Sequence, residues 1–238
     1  MPDSIREQII SAFGTQLTSL LIANQYSSDM GAEVLRGHLP PLNSSLCPCI
    51  GFHIEEEENT ALYSRKDDRV LPIRVQGVAK FGDVLPAVMA EKIYADVNEC
   101  ILSDELTVNY DSGSTEISAG DRITGATSAA TGLVISLTLT SGSWGSGNAS
   151  GALTVRRFTG LFVNNEDLNV GVSSNVATVN GAPTGQSACD LAGGGLVDAI
   201  TFFSGGVVVA EIDDMTVSAN IIFQARYRVM AGNPYSQT

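Results

Sequence analysis

Histidine, cysteine, aromatic residues and positive charge are all scarce in this chain, and each scarcity removes a class of function. Only His38 and His53 occur. No serine or cysteine sits in a nucleophile-elbow or papain-like context, so a catalytic triad has no support in the sequence. The four cysteines, Cys47, Cys49, Cys100 and Cys189, are too sparse for a secreted disulfide scaffold in 238 residues, and they fit a reducing cytoplasm. Thirteen Lys and Arg face 26 Asp and Glu, a formal charge of −13, and such a surface repels phosphate and anionic lipid. Specific nucleic-acid binding is not expected. No stretch of eighteen apolar residues is present, which excludes a membrane-spanning helix. Met1 to Arg6 lacks the basic flank and apolar run of a secretion signal. The expectation is a protein made inside a cell, not an enzyme, with no cofactor, metal or membrane partner.

What is present divides into two kinds of material. The hydrophobic fraction of 44% in 238 residues is enough for one large domain or two modest ones, and the 24 glycines are unevenly spread. Composition changes abruptly at about Gly113 and changes back at about Gln186. Residues 113–186 contain no lysine; their bases are Arg122, Arg156 and Arg157 and their acids Glu116, Asp121, Glu166 and Asp167. That segment is nearly neutral, so the acidity belongs to the flanks.

In the flanks, Ile5, Ile9, Phe13, Leu17 and Leu20 recur at helical spacing, which predicts a helix from Ser4 to about Asn24 with Asp3 capping its first turn. Cys49 to Ile54 and Leu71 to Val78 read as strands, separated by a polar loop or hairpin from Glu55 to Arg69. Asp83 opens a second helical pattern ending near Leu102, with Pro86 tolerated in its first turn. Strands are expected at Leu106 to Tyr110, Val207 to Ile212 and Met215 to Val229. The last alternates strictly: Met215, Val217, Ala219, Ile221, Phe223, Ala225, Tyr227 and Val229 share one face. The middle segment has short alternating runs such as Leu133 to Leu139 and Ala152 to Val155 between Gly, Ser and Asn turns. A 45-residue shift aligns Asp121-Arg122-Ile123 with Glu166-Asp167-Leu168 and Ser128 with Ser173, either as two similar hairpins or by chance. The predicted fold is α+β: two helices on a mostly antiparallel sheet formed by 1–112 and 187–238, with an inserted small all-β domain at 113–186.

The chemistry-bearing clusters are few. Cys47-Pro48-Cys49 with His53 lacks the paired-ligand repeat of structural zinc sites and reads as small residues entering a buried strand. Glu55-Glu56-Glu57-Glu58 and Asp67-Asp68 lack the alternate-residue spacing of a calcium loop; they read as a solvated hairpin tip, or as the lining of a channel if the protein forms a ring. Ser141 to Gly147 is followed by no Gly-Lys-Ser/Thr and reads as a turn. Trp144, the sole tryptophan, is a candidate binding surface of the middle segment, either stacking on a sugar or partner or packing within the module.

Several stretches of the flanks, in order, resemble the tail terminator (tail completion) proteins of long-tailed bacteriophages. They are Ile5 to Leu21, Val34-Leu35-Arg36-Gly37, Cys47-Pro48-Cys49-Ile50, Leu71 to Val78, and Ala225-Arg226-Tyr227-Arg228-Val229 with Gly232-Asn233-Pro234-Tyr235. Roughly two-thirds of the chain is covered. The middle segment, with Ala119 to Ser128, Thr131-Gly132 and Gly142-Ser143-Trp144, is similar to the Ig-like and other small β decorations of virions, which a bare terminator lacks.

The resemblance implies a structural virion protein of the tail and neck region, assembled in the host bacterial cytoplasm. Six copies would form a ring on the last tail-tube ring, stop tube growth and meet the head connector or head-completion protein, with the tail sheath as a further partner. The expected subunit contact is the strand Met215, Val217, Ala219, Ile221, Phe223, Ala225, Tyr227, imagined as an over-long sheet edge, with the tail Asn233, Pro234 and Tyr235. Alternative roles are a head-completion, neck or minor tail protein, or a carbohydrate-binding adhesive module on a phage scaffold.

Overall fold

The computed structural model describes residues 3–40, 47–63, 66–80, 82, 84–186, 196–209, 216–230 and 233–235. In chain order it contains α1 (Ile5–Leu17), β1 (Val34–Arg36), β2 (Cys49–Ile54), β3 (Glu58–Tyr63), β4 (Lys66–Lys80) and α2 (Pro86–Leu102). Then come β5 (Glu105–Gly113), β6 (Arg122–Gly125), β7 (Thr131–Ser141), β8 (Ala149–Thr159), β9 (Asp167–Val170), β10 (Ser173–Val179), β11 (Thr184–Gln186), β12 (Ala199–Val209) and β13 (Thr216–Met230). The fold is mixed α+β and dominated by sheet. It divides into a first unit of residues 1–22, 26–102 and 188–238 and a second of 23–25 and 103–187.

In the first unit, α1 starts one residue later than the sequence suggested. Ser4, in extended conformation, is the cap, and its hydroxyl accepts the Glu7 N–H. The helix stops at Leu17, short of the expected Asn24, because the chain turns back: the Gly31 N–H donates to the Leu20 carbonyl. A side chain at Gly31 would collide with the Leu17 and Thr18 carbonyls, so the close return depends on glycine. α2 begins at Pro86; Asp83 lies outside the described residues.

The sheet of this unit runs β1-β2-β4-β13-β12, with β3 also on β4. β1, not foreseen from sequence, pairs with β2 in parallel; the other neighbours are antiparallel. β4 and β13 pair along their whole length, from Lys66↔Met230 to Lys80↔Thr216. On the opposite side of β4, β2 covers Ile73 to Val78 and β3 covers Lys66 to Val70. Pro72 falls in the gap between them, where its missing N–H leaves no ladder partner unmet. One face carries Ile73, Val75, Ile221, Phe223 and Ala225, all buried beneath both helices, with Phe13 lying 5.6 Å from Phe52 and 6.0 Å from Phe223 between ring centroids.

The second unit is one seven-stranded sheet, β10-β9-β6-β7-β8-β5-β11, which closes on itself where β10 pairs with β5. This corrects two expectations. The middle segment is a single closed sheet and not an Ig-like sandwich of two. The strand Leu106 to Tyr110, assigned to the flanks, belongs to it, because β5 pairs with β8, β10 and β11. The composition break at Gly113 therefore falls at the end of a strand of the second unit, and the structural break falls at Ser103.

The 45-residue shift is built into the hydrogen bonding of this unit. Arg122↔Leu133 and Ile123↔Gly132 in β6–β7 recur as Asp167↔Thr178 and Leu168↔Ala177 in β9–β10. Leu133↔Arg156 and Val134↔Val155 recur as Thr178↔Asp111 and Val179↔Tyr110. Where the halves meet, the register is its own image: Ile123↔Val170 maps onto Leu168↔Gly125, and Leu106↔Val155 onto Gly151↔Tyr110. The turns repeat as well. Asp121 accepts the Ser118 N–H at 2.7 Å and Glu166 accepts the Val163 N–H at 2.6 Å, while Gly120 and Asn165 both have positive φ, +96° and +64°. The unit is two interlocked copies of one three-stranded element about a pseudo-twofold axis.

Candidate functional site

The residues expected at a subunit contact occupy another place. β13 is hydrogen-bonded to β4 on one side and β12 on the other, so it is an interior strand. Val217, Ala219, Ile221, Phe223, Ala225 and Tyr227 are at most 1% exposed, packed in the chain's own core. The strict alternation reflects helices of the same chain lying on one face, not a neighbouring subunit. Met215 lies outside the described residues. Asn233, Pro234 and Tyr235 are exposed and sit at the start of α1, where the Ile5 N–H donates to the Pro234 carbonyl at 2.8 Å.

Among the described residues the edge strands of the sheet are β12, β1 and β3; the sequence had placed β12 only in part, as Val207 to Ile212, of which 210–212 lie outside the described residues. Among the described residues, β12 pairs with β13 alone. A bulge between Phe202 and Ser204 takes Phe203 out of register, leaving its ring 61% exposed beside Phe202 at 42%. The Phe202 ring meets Tyr94 of α2 edge-on, 6.2 Å between centroids. From Leu196 to Val209 the only charged residue is Asp198. Natural edges are usually blunted by lysine, proline, inward charge or a bulge; among the described residues 196–209 there is the bulge and no lysine or proline.

The acidic candidates are neutralised to a large extent. Glu55 pairs with Arg74 at 2.6 Å and Asp68 with Arg228 at 2.8 Å. Glu57 receives Arg6 at 3.1 Å, Arg69 at 3.2 Å and the Tyr227 hydroxyl at 2.8 Å, and Asp67 receives Arg69 at 3.3 Å. Burial first, and the facing Glu57 carboxylate second, push the Tyr227 phenol well above its usual range. Glu56 and Glu58 are exposed. A uniformly negative lining does not describe this cluster: β4 supplies Arg69 and Arg74 from nearby in sequence, and α1 and β13 bring Arg6 and Arg228 from far away.

The thiol group is equally settled by geometry. Cys49 is fully buried, and its thiol is pushed up to about 12, first by burial and then by Cys47, so it is not a thiolate at neutral pH. His53 is four residues further along the same strand, about 14 Å away at the strand rise per residue, beyond reach of a shared ion. Among the described residues no three His, Cys, Asp or Glu side chains converge on one point, and no helix is long and apolar enough to cross a membrane. No family model matches this chain, and no curated protein matches it.

Two groups in the second unit hold its turns. Trp144 stacks on Tyr110, 5.2 Å and 12° between rings, and a side chain at Gly113 would run into the indole. That ring face is committed to packing. Glu166, 3% exposed, accepts the backbone N–H groups of Thr127, Ser128 and Val163 and the Ser128 hydroxyl. Burial raises its pKa, but these four donors outweigh burial and hold the carboxyl below the usual range.

Proposed function

We propose that this chain is a structural virion protein of a tailed bacteriophage, a tail terminator whose first unit associates into a ring. That ring caps the tail tube, halts its polymerisation and meets the head connector. The observation that carries the reading is β12, a sheet edge without lysine or proline that exposes two phenylalanines, which is costly for a chain that never associates. The ordered likeness of the flanking segments to terminators supports it, and the ring number of six rests on that likeness alone. The second unit is read as an inserted all-β decoration, held by its own core and its own closed sheet.

Negative-stain microscopy of the purified protein is the direct test. Closed rings that cap isolated tail tubes are the expected result. Binding to DNA-filled heads and not to tubes would reassign the ring to head completion, and a strict monomer in the presence of tubes would end the reading.

A further inference from the structure

We infer that Asn180-Gly181 is a site of spontaneous deamidation in the second unit, and that the Asn164 side chain holds it in check while the chain is folded. The inference concerns the second unit alone and stands whether or not the first forms a ring. Asn180-Gly181 is the only Asn-Gly pair in the sequence. Glycine has no Cβ to keep a neighbouring side chain away from its backbone nitrogen, so this pair is the one most open to attack of that nitrogen on the asparagine amide. It lies in the turn between β10 and β11, with Asn180 exposed. Gly181 has a φ of +94°, and a Cβ built on it would meet nothing within 4 Å. The turn is open to water on that side.

The reaction draws only on base and water. Base removes the Gly181 amide proton, and the nitrogen then bonds to Cγ of Asn180. The bond from Cγ to the side-chain nitrogen breaks, and ammonia leaves. Water opens the resulting cyclic imide at either carbonyl, giving aspartate or isoaspartate and one added negative charge. The first step is the one the fold obstructs. The Gly181 N–H donates to Oδ1 of Asn164 at 2.6 Å, and an amide so engaged gives up its proton only when the bond opens, as in hydrogen exchange. Asn164 is itself held in place by the backbone beside it. The Asn165 N–H donates to the Val179 carbonyl at 2.9 Å, and the Val179 N–H donates to the Glu166 carbonyl at 2.9 Å. The internal repeat isolates the feature. Its other half makes the same two bonds, from Gly120 to Val134 at 2.8 Å and from Val134 to Asp121 at 2.9 Å. There the positions of Asn164, Asn180 and Gly181 are taken by Ala119, Ile135 and Ser136. The side-chain acceptor stands only in the half that carries Asn-Gly.

The test follows each asparagine-containing peptide by mass spectrometry while the full chain is incubated at mildly alkaline pH, native and in urea. Asn164→Ala removes the acceptor and Asn164→Asp keeps one. In urea, Asn180 should convert ahead of every other asparagine. Native wild type should convert about tenfold more slowly than in urea, and native Asn164→Ala about tenfold faster than native wild type, as the loss of one hydrogen bond allows. Asn164→Asp should convert no faster than wild type. Another asparagine converting first in urea overturns the site. Native wild type converting as fast as in urea overturns the guard, as does Asn164→Ala converting no faster than wild type, or Asn164→Asp matching Asn164→Ala. Hydrogen exchange in the wild type gives a reading that needs no variant to fold: the Gly181 N–H should be protected, and free exchange there overturns the guard even if Asn164→Ala loses its Trp144 transition.

Discussion

The first unit is held by large side chains meeting across long elements, whereas the second is held by short strands and turns whose polar groups grip the backbone. Phe13, Phe52, Phe223, Leu17 and Leu20 fill the first core, and Tyr110 is the one side chain of the second among the largest fully buried ones. The second instead fixes its corners with Glu166, Asp121 and glycines such as Gly142, whose φ is +74° and whose Cβ would overlap the Asn148 carbonyl. A glycine- and serine-rich stretch with few aromatics thus still builds a defined core. It does so by closing the sheet, which leaves fewer edges to cover than an open one.

The sharpest way to break this contrast is to remove a large side chain from the first core. Phe223→Ala should cost about 3–5 kcal/mol and lower the helix transition in circular dichroism. The emission of Trp144, the only tryptophan and a probe of the second unit, should unfold as before; a matched loss in both signals would mean the units are not energetically separate.

Next in size is Glu166→Ala, which strands buried N–H groups at an expected total of about 3 kcal/mol and should lower the Trp144 transition alone. Acid should act on the same group. Because its folded pKa lies below the ordinary value of 4.5, the stability it contributes is complete above that value and is lost as pH falls through the depressed one. The decline of the Trp144 transition in acid should be weaker in Glu166→Gln, and an unaltered decline would assign it to other groups.

Gly113→Ala should cost about 1–3 kcal/mol by overpacking against the indole, with a shifted Trp144 emission as its signature. The smallest effect is expected for Arg228→Gln: the pair with Asp68 is open to solvent, so neither transition should move measurably.

Helical spacing in Ile5 to Leu17 and in Ala90 to Ile101, the β-type run Cys49 to Ile54 and the alternation in Val217 to Val229 located most of the first unit from sequence. Its length-three strand β1 carries too few residues to show a period. The 45-residue repeat was visible only in Asp121-Arg122-Ile123 against Glu166-Asp167-Leu168 and in one serine pair. Buried counterparts such as Ile117 and Phe162, or Tyr110 and Val155, share apolarity and not identity, and it is the hydrogen-bond register that preserves the repeat.

By itself, the sequence determined which faces are buried, where the composition changes, and that charge sits outside the middle segment, because periodicity and side-chain polarity are local properties. Tertiary structure alone decided what those faces are buried against. It made β13 an interior strand, put β12 at an edge, transferred β5 to the second sheet and set arginines on the acidic cluster. Neighbours in a sheet are chosen by hydrogen bonds between segments up to 164 residues apart, as between Lys66 and Met230, and no local pattern records that choice.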